Sequence, residues 1–230
     1  MKIVMINGQN HKGSTYHIGK MLVDKIGGEV TEFFLPRDFS EYCIGCSRCF
    51  SECAEKCPHY EKQQKILNVM DEADLIILTS PVYVYHVSAP MKNFLDHQGH
   101  RWMVHRPKSQ MFRKQAVCIS TAAGAGMKST NRDMADSLFF WGVPKIYKIG
   151  VAVQAVNWDG VSDRKKTRIE SRVSKIAHKI MRKNGKIKPG IKTKAFFYAM
   201  RMVQSKIGWC EPDVKYWNDM GWTKNVRPWK

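Results

Sequence analysis

Apolar and polar positions along the chain follow two alternating periods. Lys2-Ile3-Val4-Met5-Ile6 is a short apolar run ended by Asn7-Gly8, the pattern of a buried parallel strand entering a loop. Ser14 and Thr15 are candidates to cap the helix that follows. In it Ile18, Leu22 and Ile26 recur at spacings of four, and Gly27-Gly28 supplies the stop. The alternation then repeats. Val30–Leu35 reads as a strand, Ile66, Leu67 and Met70 as a helix face, and Leu75–Thr79 as a buried strand. Ser88–Asp96 reads as a helix, Ala116–Ser120 as a strand, Ser129–Trp141 as a helix and Lys145–Val153 as a strand. Ser162–Asn184 is a long helix with Ile169, Val173, Ile176 and Ile180 on one face. Five strands alternating with helices predict a three-layer α/β domain with a parallel sheet.

Residues 36–60 carry neither period and read as a loop. After Gly185 the segment Lys186-Ile187-Lys188-Pro189-Gly190 reads as a linker, Phe196–Ile207 as a further amphipathic helix, and the remainder as a Trp-rich extension. The chain therefore divides into a domain over 1–184 and an extension over 185–230. Trp209, Trp217, Trp222 and Trp229 have few polar neighbours in sequence, so the extension is expected to cover an apolar patch on its own domain or on a neighbouring subunit, and a homo-oligomer is expected.

Composition bounds the class. With 43% hydrophobic and 25% charged residues in 230, a disordered chain is excluded. No apolar run approaches the ~18 residues of a membrane-spanning helix, and the run after Lys2 is too short for a signal-peptide core, so a cytoplasmic protein without a transmembrane segment is expected. The net charge of +18 is uneven: residues 1–160 carry 19 Lys and Arg against 15 Asp and Glu, and residues 161–230 carry 19 against 5. A solvated helix face accounts for such a run. A polyanion-binding module is the competing reading, but neither aromatic interleaving nor a zinc-finger pattern points to sequence-specific nucleic-acid binding.

Five of the seven cysteines, Cys43, Cys46, Cys49, Cys53 and Cys57, fall within residues 43–57. In a reducing compartment that clustering points to metal or redox chemistry. Cys-x2-Cys-x2-Cys followed by a more distant Cys-Pro has ferredoxin-like spacing, which suits a [4Fe-4S] cluster on Cys43, Cys46, Cys49 and Cys57, the last chosen for its following Pro58, with Cys53 a spare that could also reach. Zinc on four thiolates and a loop of free thiols are the alternatives.

Ligands of open parallel sheets bind at the carboxyl ends of the strands. Three such ends are unusual here. Residues 8–15 form a glycine-bracketed loop with hydroxyls entering a helix, able to cradle a phosphate. It is not a Walker A loop, because Lys12 precedes Gly13, and it has no dinucleotide fingerprint. Ser80-Pro81-Val82-Tyr83-Val84-Tyr85 is a rigid aromatic turn, and residues 121–126 are small enough to let a flat ligand approach the backbone. Together they suit a planar aromatic mononucleotide.

Asn7-Gly8…Gly13-Ser14-Thr15, Ser80-Pro81-Val82-Tyr83…Ser88-Ala89-Pro90-Met91-Lys92-Asn93-Phe94-Leu95-Asp96 and Cys43-Ile44-Gly45-Cys46-x2-Cys49…Cys57-Pro58 resemble the flavodoxin-like NAD(P)H-dependent FMN reductases, and more narrowly their iron-sulfur flavoprotein branch. The likeness covers roughly residues 1–180. It implies a flavodoxin-like doubly wound sheet of order 2-1-3-4-5. It also implies FMN phosphate held by Asn10, Lys12, Ser14 and Thr15, with the isoalloxazine against Pro81, Val82, Tyr83 and Val84. Thr121, Ala122, Ala123, Gly124 and Gly126 would close the other side of the ring. His11-Lys12 is more basic than the family's usual phosphate loop, and Tyr85-His86 stand where small residues are common. Tyr83, Tyr85 and His86 are candidate proton donors or packing residues, and no catalytic residue is assigned. The implied function is an FMN oxidoreductase passing electrons from NAD(P)H to a quinone, flavin or other small acceptor. The alternative is an electron carrier exchanging electrons with ferredoxin-like partners through the cluster.

Overall fold

The computed structural model describes residues 1–230. Strands β1 (Lys2–Asn7), β2 (Glu29–Phe34), β3 (Leu75–Pro81), β4 (Gln115–Ala122) and β5 (Lys145–Ala152) form one sheet of order 2-1-3-4-5, every pair parallel. The expected flavodoxin-like architecture is thus present. Successive strand residues point to opposite faces. Val4, Ile6, Ile76, Leu78, Ala116 and Cys118 pack under α3 (Tyr60–Glu72), α4 (Ala89–His97) and α5 (Met127–Phe140). Ile3, Met5, Leu75, Ile77, Val117 and Ile119 pack under α1 (Ser14–Ile26) and α6 (Asp163–Lys183). Both faces of the central strands are buried, which is why they read as continuous apolar runs.

Element boundaries fall within about two residues of the periodicity, with three differences. Gly13, rather than Ser14 or Thr15, occupies the N-cap of α1, and no side chain caps that helix. The loop after β2 contains a single helical turn, α2 (Arg48–Ser51), and a tighter turn over Ala54–Lys56. In the extension, α7 begins at Ile191 rather than Phe196 and ends at Met202 in a π-helical turn over Val203–Ile207, and a further helix, α8, spans Glu211–Asp219.

The extension covers its own domain. Phe197, Trp217 and Trp222 are buried against Met103 and Phe112 in a third apolar cluster, with Phe139, Tyr216 and Trp229 at its margin. Part of the basic charge on α6 is used at the sheet edge: Arg172 donates to the Lys148 and Gly150 carbonyls of β5 at 3.0 and 2.9 Å, groups an edge strand leaves unpaired. No helix is long and apolar enough to cross a membrane.

Candidate flavin and cysteine sites

At the carboxyl edge of the sheet the three expected segments meet. The loop after β1 leads into the uncapped N-terminus of α1, whose first intrahelical bond is His17 N–H to Gly13 O, so the Ser14, Thr15 and Tyr16 amides take no backbone acceptor. A helix start with free amides is an anion site. Ser14 and Thr15 are buried there, while Asn10 and Lys12 are exposed on the rim.

The turn after β3 is closed by paired backbone bonds between Tyr83 and His86 at 3.0 Å, with Val84 (φ 49°) and Tyr85 (φ 66°) both left-handed. Side-chain-bearing residues enter that region at a cost of order 1 kcal/mol each, and surroundings must hold them there. Here α5 does so. Asp133 accepts from His86 Nδ1 at 3.0 Å and from the Val87 amide at 3.2 Å, and the Ser129 hydroxyl donates to the Tyr85 carbonyl. The turn presents Tyr83, Val84 and Tyr85 to solvent, Val84 93% exposed. An apolar surface so displayed suits one face of a flat ring. The third segment, residues 121–126, reaches this turn at Gly126, where a Cβ would stand 2.5 Å from Val82 Cγ1, so no side chain fits. Phosphate cradle, exposed turn and small-residue loop are the features FMN needs, and these residues fit it.

The cysteine loop lies beside α4. Asn93 holds its start, donating to Glu41 O at 2.6 Å and accepting from the Cys43 amide at 3.2 Å. A cavity of ≈ 60 Å³ is lined by Cys43, Cys46, Cys49 and Cys57, with Ile44, Phe50 and His97 around them, and Cys53 does not reach it. Burial pushes the Cys49 thiol up to about 11, and the neighbouring Cys57, Cys43 and Cys46 push the same way. Four thiols gathered on one cavity become a thiolate set around compensating cations, which is the donor chemistry of an iron-sulfur cluster or zinc. The loop fits a cluster in that respect.

Reasoning from sequence missed a second donor group. Cys57, His59 and His97 offer ligand atoms within 4.8 Å of one another. His97 Nδ1–H donates to the Asn93 carbonyl at 2.9 Å, leaving Nε2 to accept from His59 Nδ1–H at 3.0 Å. Burial lowers the His97 pKa. The signal available was the histidine two residues beyond Cys57, but its partner on α4 lies 38 residues away.

The sheet order defines a flavodoxin-like fold, and the match to a family model places the chain in the class of NAD(P)H-dependent flavin oxidoreductases. Within that class, the chain belongs to the NADPH-dependent FMN reductase family, whose model matches residues 1–157. Its curated relatives include an iron-sulfur flavoprotein of Archaeoglobus fulgidus, 29% identical over 161 residues, 66% of this chain and 70% of that protein. Another, from Methanocaldococcus jannaschii, is 39% identical over 100 residues, 42% of this chain and 51% of the relative. Among solved structures, an azoreductase from Bacillus anthracis superposes with TM-score 0.60 at 14% identity, covering 78% of this chain and all (100%) of that one. An FMN-dependent NADH-azoreductase of the same species, solved with FMN, gives TM-score 0.57 at 11% identity over 77% of this chain and 100% of its own. At such identities the structural likeness speaks to the fold.

Proposed function

We propose that the protein takes hydride from NAD(P)H with FMN seated at the carboxyl edge of β1, β3 and β4, and delivers electrons to a small acceptor. The observation that carries this reading is the uncapped start of α1, bonded through Thr15 to Thr121 of β4, whose neighbour Pro81 on β3 leads into the exposed Tyr83–Tyr85 turn. In it, Ser14, Thr15 and the first-turn amides hold the phosphate with Asn10 and Lys12 at the rim. Pro81, Val82, Tyr83 and Val84 support one face of the ring, and Thr121, Ala122, Ala123, Gly124 and Gly126 border the other. FMN, when bound, supplies the hydride and electron chemistry; the chain binds it, orients it and restricts solvent. Asp133 keeps the turn in its strained form.

A second redox centre is part of the reading. Cys43, Cys46, Cys49 and Cys57 would hold a [4Fe-4S] cluster, supported by their shared cavity and by the iron-sulfur flavoproteins among the relatives. This favours, as a second reading, an electron carrier that exchanges single electrons with ferredoxin-like partners. Stopped-flow mixing of the anaerobic FMN-loaded protein with NADPH and with NADH separates the two. Rapid bleaching of the flavin band supports the reductase, and failure of both nucleotides to bleach it, with bleaching by reduced ferredoxin, supports the carrier.

A further inference from the structure

The extension does more than cover apolar surface: it reaches the cysteine loop through a chain of polar contacts. Residues 104–107 are gripped from the extension by bonds to three of their carbonyls. Gln204 Nε2 donates to Val104 O at 2.7 Å, Trp217 Nε1 to His105 O at 2.6 Å and the Tyr216 hydroxyl to Pro107 O at 2.6 Å. Arg106, held within that segment, turns its guanidinium to the exit of α2. Its Nη2 donates to the Cys49 carbonyl and, at 3.2 Å, to Phe50 O, and its Nη1 to Glu52 O at 3.0 Å. A helix of one turn leaves those carbonyls without intrahelical partners.

The other edge of the guanidinium meets the extension. Arg106 Nε lies 3.3 Å from Asp213 Oδ1, and Asp213 Oδ2 accepts from His105 Nδ1 at 2.7 Å. Asp213 is 1% exposed, so its carboxylate stands in the protein interior beside the Arg106 guanidinium and the His105 ring N–H. A buried carboxylate without such partners would cost several kcal/mol. The Cys210 thiol adds a contact to Phe50 O at 3.4 Å. The Cys49 backbone is therefore fixed by a side chain that is itself fixed by residues 204–217.

We propose that Arg106 and Asp213 are a positioning pair for the cluster at Cys43, Cys46, Cys49 and Cys57, an inference that rests on the cluster reading above. Arg106 has two effects. Its planar fork holds three carbonyls at once and sets where Cys49 projects, which a lysine cannot reproduce. Its charge lies beside a thiolate set that is negative overall when metallated, and a nearby positive charge makes the reduced cluster easier to form. Asp213 supplies the buried counter-charge beside the fork. The extension thereby becomes a structural part of the metal site.

The test uses the full-length chain, reconstituted anaerobically with iron and sulfide, as wild type, Arg106→Gln and Arg106→Lys. Iron, labile sulfide and FMN are counted, iron release to a chelator is timed, and the cluster potential is titrated by EPR. Arg106→Gln is expected to release iron about tenfold faster, the scale of lost outer-sphere support, with a more negative potential and unchanged FMN content. Arg106→Lys is expected to keep the potential near wild type while still releasing iron faster. Should Arg106→Gln fail to accumulate, Arg106→Lys against wild type decides through the release rate alone. Iron held normally, at the wild-type potential, in Arg106→Gln overturns the positioning pair and leaves the cluster standing. Wild-type protein that takes up no iron overturns the cluster reading and this inference with it.

Discussion

The Thr15 and Thr121 hydroxyls lie 2.6 Å apart and buried, one at the start of α1 and the other at the end of β4. This bond joins the loop after β1 to the loop after β4, so the two segments proposed to border FMN share one polar link.

Ser14 and Thr15 therefore are expected to differ on substitution. Ser14→Ala removes a hydroxyl free to meet phosphate and should weaken FMN binding by about 1.5–3 kcal/mol, measured by titration of apoprotein. Thr15→Val removes a second phosphate contact and also strands the Thr121 hydroxyl, so beyond weakening FMN binding it should lower stability by about 1–3 kcal/mol in urea unfolding. The double variant Thr15→Val/Thr121→Val removes both partners and is expected to be the milder of the two. A double variant as unstable as the single one would show that the bond is not what Thr15 contributes.

Cys57 lines the cysteine cavity and Cys53 does not. After anaerobic reconstitution, Cys57→Ser is expected to lose most iron and labile sulfide, and Cys53→Ser to retain them, with FMN content equal in both. The reverse pattern of iron loss would reassign the fourth ligand.

Trp217 is fully buried between Phe197 and Trp222 and donates to His105 O at 2.6 Å. Trp217→Ala should cost about 3–5 kcal/mol by cavity formation, whereas Trp217→Phe keeps most packing and should cost about 1–2 kcal/mol. Removing residues 186–230 would bare Met103 and Phe112, and light scattering should detect association of the truncated protein. A truncated chain as monodisperse and as stable as the full one would rule out a covering role.

His100 is buried and its pKa is pushed down to about 3, chiefly by burial and further by the charges of Arg101 and Arg106. Above its ordinary value of 6.5 the group is neutral in both states and contributes no slope. Below it the unfolded chain takes up a proton that the folded chain refuses, so stability falls as pH drops from 6.5 toward 3. At pH 5 this group alone should remove about 2 kcal/mol relative to pH 7. Urea unfolding at both pH values, on wild type and His100→Gln, checks it: the variant should lose less, and equal losses would assign the acid sensitivity elsewhere.

What was legible in the sequence follows from how each feature is encoded. The five strands and the helices between them are written in local periodicity, and the sheet order followed from the family likeness carried by the loops. Cys43, Cys46 and Cys49 are legible because the Cys-x2-Cys-x2-Cys spacing is local in sequence. The polar frame of the same site was not legible. His105 and Asp213 are 108 residues apart, and neither spacing nor residue type links them. Helix α8 escaped detection for a similar reason: its buried residues are only Asp213 and Trp217, so it has no apolar stripe. Ser14 and Thr15 have the right chemistry for a cap of α1, yet the cap position falls on Gly13 and the Thr15 hydroxyl turns to Thr121.

The packing of Phe197, Trp217 and Trp222 onto Met103 and Phe112 also imposes an order on biosynthesis. The ribosome releases residues 103 and 112 long before the aromatic side chains that will cover them. Through that interval a nascent chain with a nearly finished sheet carries an uncovered greasy flank, the kind of surface that holdase chaperones bind and that crowded polysomes aggregate. Slowed translation between the codons for Phe112 and Trp222 would prolong that window, and the yield of intact protein should fall with it.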